Sequence, residues 1–167
     1  MTAEELIQFL GLEPLTIEGG YFRRTYCSDE EIAQPSMPHR YLVDHPFSTC
    51  IYFLLTKTSF SSFHSLLSDE TYHFYLGDPV ELVELHPNGE CTTTILGQDI
   101  FNGQKVQHTV LRGTWQASYL RAGGEWALMG CTVAPGFDEN DFMAGNWENL
   151  LRTHPKHHQI IMRLTKK

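Results

Sequence analysis

The densest chemistry in the 167-residue chain lies between Phe63 and Gly77. His64, Asp69, Glu70 and His73 fall there among Leu, Phe and Tyr side chains. An imidazole and a carboxylate held together in apolar surroundings can move protons. Burial raises the carboxyl pKa, and a neighbouring histidine holds or passes the proton. The same pair can ligate a divalent metal, but only weakly, because imidazoles supply most of the affinity for transition metals. On a strand, residues two apart share a face. A His64 that points inward therefore takes Ser62, Phe60 and Leu66 with it. Further on, Leu111-Arg112-Gly113-Thr114-Trp115-Gln116 offers an amide, and Ser118 shares the face of Gln116. Glu70 and His73 are three apart, so a regular strand sends them to opposite faces. A bulge would turn both inward; without one, His73 lies outside, at a sheet or subunit contact.

Other polar groups carry weaker signals. Glu18-Gly19-Gly20 is either a turn or a close approach of backbone to a neighbouring strand or ligand. Of Arg23 and Arg24, one can face inward and meet an anion. Asp138, Glu139 and Asp141 read as a solvated loop with helix-capping acids, or as a pocket lid. His154, His157 and His158 read as a solvated helix end. Glu70-x-x-His73 has the spacing of di-iron helix bundles, but Tyr72, Phe74 and Tyr75 favour a strand. No Gly-rich phosphate loop, Gly-x-Ser-x-Gly elbow or His-Glu-x-x-His helix occurs.

The elements that must position these groups can be read from periodicity. Thr2 and Glu5 form a capping box, Leu6, Ile7, Phe9 and Leu10 make an apolar stripe, and Gly11 ends it, so residues 1–12 are expected to be a helix. Residues 16–135 alternate short apolar runs with turn residues, including Pro87-Asn88-Gly89 and Asn102-Gly103. Asn-Gly between apolar runs signals a hairpin, with positive φ at both central residues. Many short strands at this spacing mean a sandwich or a barrel. Residues 136–167 turn helical again: Asn146 caps a helix carrying Trp147, Leu150 and Leu151, and Pro155 starts another carrying Ile160, Ile161 and Leu164. No linker or repeat divides the chain, so residues 1–167 form a single domain.

Composition narrows the function. Twelve lysines and arginines against twenty aspartates and glutamates give a formal charge of −8, which argues against nucleic acid and anionic lipid as partners. Apolar runs stop far short of the roughly 20 residues that span a bilayer. Cys27, Cys50, Cys91 and Cys131 are scattered, with no CxxC pair, and read as buried thiols. The acidic start, MTAEELIQFL, is unlike a secretory signal. The expectation is a cytoplasmic protein.

The motifs resemble the cupin superfamily. Its first motif is His-x-His followed by a glutamate and then a glycine; His64, Glu70 and Gly77 fall on three of those positions, and Leu66 replaces the second histidine. Its second motif is Pro-x-Gly-x-x-His; Leu111, Gly113 and Gln116 fall there, so Gln116 replaces the last histidine. The chain is more similar still to cupin superfamily 5, a largely uncharacterised group of single-domain cupin-like proteins. The resemblance runs through Glu18-Gly19-Gly20-Tyr21-Phe22, Ser68–Tyr75, Gly113–Ala117 and Thr132–Asp138, with Tyr72 where that family has tryptophan. It implies a mainly β, jelly-roll barrel or double-stranded β-sandwich with an N-terminal helix and short C-terminal helices, an interior pocket, and a homodimer.

The expected function is binding of a small polar metabolite, such as a sugar derivative, inside the barrel, with acid–base isomerase or epimerase chemistry. Glu70 and His64 are the expected catalytic pair. The expected ligand-binding set adds Gln116, His73, Tyr75, Phe60 and Ser118. The alternatives are a metal-dependent enzyme with a weakly held divalent ion on His64 and Glu70, and a non-catalytic binding or storage module.

Overall fold

Period-two alternation and frequent turns fold most of the chain into antiparallel sheet. The computed structural model describes residues 1–166. In chain order the strands are β1 (Glu13–Pro14), β2 (Tyr21–Cys27), β3 (Glu31–Ile32), β4 (His45–Pro46), β5 (Thr49–Thr56), β6 (Phe60–Ser65), β7 (Asp69–Gly77), β8 (Val80–Leu85), β9 (Cys91–Leu96), β10 (Gln107–Val110), β11 (Trp115–Leu120), β12 (Trp126–Ala134) and β13 (Met143–Ala144). The helices are α1 (Ala3–Leu10), α2 (Trp147–Thr153) and α3 (His158–Arg163). One sheet has the order β1-β2-β5-β12-β7-β10 and the other β13-β6-β11-β8-β9, with β3 and β4 as a separate ribbon. The protein is mainly β, a jelly-roll with terminal helices. The sheets reach slightly beyond the expected 16–135 span, because Glu13–Pro14 pairs with β2 and Met143–Ala144 with β6.

The core between the sheets is built from inward-facing Phe53, Leu55, Tyr72, Phe74, Leu82 and Met129. The outer faces are also apolar and need cover. Leu6 and Leu12, on and just after α1, pack on Leu54 and Leu128 of the first sheet. Leu150, Ile161 and Leu164 from the C-terminal helices cover Phe63, Val83, Leu85 and Ala117 of the second. Each such side chain buried contributes about 1.5–3 kcal/mol, which explains why both tails dock. The capping box forms, with Glu5 N–H donating to Thr2 Oγ1 and Thr2 N–H to Glu5 Oε2, and Gly11 takes the left-handed conformation.

Two local expectations change. Among the described residues no non-glycine residue has positive φ, so Asn88 and Asn102 do not sit in two-residue hairpin turns. The β8–β9 loop is a longer turn in which His86 N–H donates to Glu90 O and Gly89 alone is left-handed. His154 is buried rather than solvated: its Nε2–H donates to His86 O at 2.8 Å and ties α2 to that loop.

Candidate functional site

A cavity of about 360 Å³ opens at one end of the barrel, within the range of about 300–1,000 Å³ typical of small-molecule sites. β5 and β7 contribute residues near their starts (Thr49, Ile51, Glu70), and β6 and β12 contribute from their ends (His64, Cys131, Val133). The segment 13–18, Phe22 and Arg24 of β2, Leu66, and Phe137 with Glu139 complete the wall. His64 and Glu70 therefore share one hollow.

His64 is buried, and its Nδ1–H donates to the carbonyl of Ser62 at 2.9 Å. That bond leaves Nε2 bare, 3.4 Å from Glu18 Oε2. Burial lowers the His64 pKa, against the pull of Glu70 and the Ser62 carbonyl, so the ring is held neutral. Phe142 stacks on it with centroids 5.3 Å apart. Glu70 accepts from Gln116 Nε2 at 2.8 Å, and its pKa is raised, chiefly by burial and further by the nearby Glu18 carboxylate. Glu18 accepts from Ser61 Oγ at 3.0 Å, and burial pushes its pKa up to about 7. Two carboxyl groups with raised pKa values, that of Glu18 reaching about 7, thus flank an imidazole with a free lone pair. Such a set can donate and accept protons without changing its surroundings.

Glu18 is the residue that sequence reasoning missed as a site group. Its signal was the glycine pair that follows it. Gly19 has φ +124°, and a Cβ there would lie 2.2 Å from Phe60 O. Gly20 is left-handed too, with a Cβ position 2.9 Å from Leu54 O. The chain therefore lies directly against β6, where Ser62 N–H and Oγ–H both donate to Glu18 O at 3.0 and 2.9 Å. Turn and close approach coexist, and together they aim the Glu18 carboxyl into the cavity.

Several expected ligand residues lie elsewhere. On β7, Glu70, Tyr72 and Phe74 face inward and His73 faces out; its Nε2–H donates to Thr132 Oγ1 at 3.1 Å and Gln107 donates to its Nδ1. A bulge does occur on β7, but at Tyr75, beyond His73, where the register with β12 slips between Leu128 and Met129. It cannot turn His73 inward. Tyr75 is half exposed on the outer face, edge-on to Tyr52 and lying over Gly130. Phe60 also leaves the interior. Gln116 pairs with His64 but Ser118 with Ser61, so β6 carries one extra residue. That residue points Ser61 inward and turns Phe60 out, opposite Tyr119, against the C-terminal helices. Gln116 is buried and does not reach the cavity lining; it positions Glu70, and its Oε1 has no partner. Ser118 faces inward, buried, with an unpartnered Oγ, also outside the cavity lining. Leu66 does line the cavity.

The other polar groups resolve as follows. Arg24 lines the cavity, and Arg23 packs over Tyr52 on the opposite face. Asp138 caps the turn at residues 139–141, but Asp141 is buried and accepts from His45 Nε2–H at 2.7 Å. This pair anchors the turn that carries Phe142. Cys131 is buried at the cavity, whereas Cys27 is exposed.

The fold family implies a metal, and the side chains present do not fit one. Leu66 and Gln116 occupy two of the expected ligand positions, and Gln116 is engaged with Glu70. Among the described residues no three His, Cys, Asp or Glu side chains form a group that could hold a metal ion. His64 and Glu70 alone make a poor donor set.

Comparison with known proteins agrees with this architecture. The chain is 32% identical to the uncharacterized protein YML079W of Saccharomyces cerevisiae, over 78% of this chain and 70% of that one. The crystal structure of protein SO0799 from Shewanella oneidensis superposes with a TM-score of 0.87 at 34% identity, covering 99% of this chain and 98% of that one. A cupin 2 domain-containing protein from Halorhodospira halophila, at 11% identity, shares the fold with a TM-score of 0.53 over 87% of this chain and 83% of that one. The family model described as Cupin superfamily (DUF985) matches residues 4–144. With that match spanning most of the chain, and a jelly-roll that holds His64, Glu70 and Glu18 in its mouth, the protein belongs to the Cupin superfamily (DUF985) family.

Proposed function

We propose that this protein binds a small polar metabolite in the barrel mouth and catalyses proton transfer beside a carbonyl group, as an isomerase or epimerase does. The observation that carries this reading is the convergence of neutral His64 with the raised carboxyls of Glu70 and Glu18 in one cavity. His64 Nε2 takes a proton from the carbon next to the carbonyl while the Glu70 carboxyl gives its proton to the carbonyl oxygen. The C–H bond breaks, an O–H bond forms, and an enol results with Glu70 ionised. Return of a proton to carbon from His64, with loss of the enol proton to Glu70, restores the enzyme and completes the exchange. Gln116 holds Glu70 in place, and Phe142 shields the imidazole from water. The working unit in this proposal is a homodimer. Supporting that are the resemblance and the open edge of β2, which β1 covers only at Tyr21 and Phe22, leaving Tyr26 exposed. A cytoplasmic location is supported by four cysteines that are all free.

The test is incubation in D₂O with small hydroxy-aldehydes, hydroxy-ketones and sugar derivatives, followed by proton NMR. Solvent deuterium should enter the position next to the carbonyl. Glu70→Gln and His64→Gln should abolish incorporation, and Glu70→Gln should still bind. Binding without exchange in the wild type would leave a non-catalytic binding module instead.

A further inference from the structure

Among the described residues, one cationic side chain lines the cavity, and it has no role in the chemistry above. On β2, Phe22 and Arg24 are two apart and both line the cavity, while Arg23 between them stacks on Tyr52. Strand alternation therefore fixes which arginine serves the site. Among the described residues Arg24 makes no hydrogen bond or ion pair, although Glu13 and Glu139 also line the mouth. Its guanidinium is exposed, so its donors are open to a ligand that enters the mouth. A guanidinium presents a planar fork of N–H groups that matches a carboxylate in a bidentate pair. Further in, Glu18, Glu70 and His64 offer donors and acceptors suited to carbonyl and hydroxyl oxygens.

We propose that the cavity selects a small hydroxy or oxo acid, whose carboxylate is gripped by Arg24 at the mouth and whose carbonyl or hydroxyl end reaches Glu70, Glu18 and His64. This deepens the preceding reading and rests on it. A single fork in a mouth that Glu13 and Glu139 also line suits one negative charge better than the nearly two of a phosphate monoester. The charged and titratable groups around the ligand are Glu13, Glu18, Arg24, His64, Glu70, Cys131 and Glu139. Of these, Glu18 changes charge near pH 7. Its ionisation repels a bound anion, so carboxylate affinity falls as pH rises through about 7.

The experiment is calorimetric titration of the full chain with glycerate and 2-oxobutyrate, neutral glycerol and erythritol, and glycerol 3-phosphate. The carboxylates should bind tightest. Arg24→Gln should weaken them by about ten- to a hundredfold, the range set by one charge-assisted hydrogen-bonded contact. Arg24→Lys should recover part of the loss, and neutral polyols should be indifferent to both changes. Arg24 is exposed, so an unchanged Tm will show that both variants fold. Neutral polyols binding as tightly as carboxylates, glycerol 3-phosphate binding tighter than glycerate, or carboxylate affinity unaffected in Arg24→Gln would each overturn the acid-selective site while leaving the cavity reading intact. Failure of all three classes to bind would overturn both.

Discussion

Replacing Glu18 with glutamine should make the protein more stable in alkali and leave it unchanged in acid. In the fold the Glu18 carboxyl has its pKa pushed up to about 7 from an ordinary 4.5, chiefly by burial, with Ser61 and Lys166 opposing. Its side chain is only 12% exposed, so solvent screens little of this. A carboxyl whose folded pKa lies above its unfolded value stabilises the fold while protonated. That contribution is complete below about pH 4.5 and is lost as pH rises through about 7. The gap is worth about 3 kcal/mol, at about 1.36 kcal/mol per pH unit. Glutamine keeps an oxygen for Ser61 and an N–H for the lone pair of His64, and it never ionises. Urea unfolding of wild type and Glu18→Gln should therefore agree below about pH 4.5, diverge as pH rises from about 4.5 to 7, and differ by a constant of about 3 kcal/mol in favour of the variant above that. For a chain of this length that is roughly 6–12 °C in Tm. Both proteins retain Glu70 and His64, so most of their titration cancels in the difference. A stability difference that is flat across this pH range would refute the claim that Glu18 is buried beside an uncharged imidazole.

Two further substitutions test how the site is held. Gly19→Ala should cost more than about 3 kcal/mol in urea unfolding, because the new Cβ meets the Phe60 carbonyl at 2.2 Å in a strained backbone conformation, whereas Gly103→Ala, left-handed with nothing within 4 Å, should cost only about 1–2 kcal/mol; equal costs would mean that segment 18–20 does not lie against β6. Asp141→Ala leaves buried His45 Nε2 without a partner and should cost about 2–4 kcal/mol, and it should also speed protease cleavage of the 137–145 segment; an unaltered cleavage rate would show that the His45–Asp141 pair does not hold that wall.

Much of the fold was legible because its signals are local. The Thr2–Glu5 box, Gly11, the Asn146 cap and the alternating apolar runs each need only neighbouring residues to act. His64 and Glu70 could be singled out because both belong to one short stretch. Phe60 was misplaced because alternation broke, whereas His73 and Tyr75 lie outside because alternation held from Glu70 to Phe74. One inserted residue on β6 reversed Phe60, and the bulge on β7 fell at Tyr75, past the place where it would have helped His73. A bulge depends on what the partner strand presents, and that partner is distant in sequence.

The chain's own order of residues was enough to determine a mainly β protein with helical ends, an acidic surface and a histidine–glutamate pair in an apolar setting, since these depend on spacing and composition. Only the tertiary structure decided that Glu18 joins them. Its carboxyl meets His64 across 46 residues of chain, because two glycines let the backbone lie against β6. The raised pKa of Glu18 has that origin as well. Burial and proximity are properties of the packed sheets, and no short window of sequence contains them.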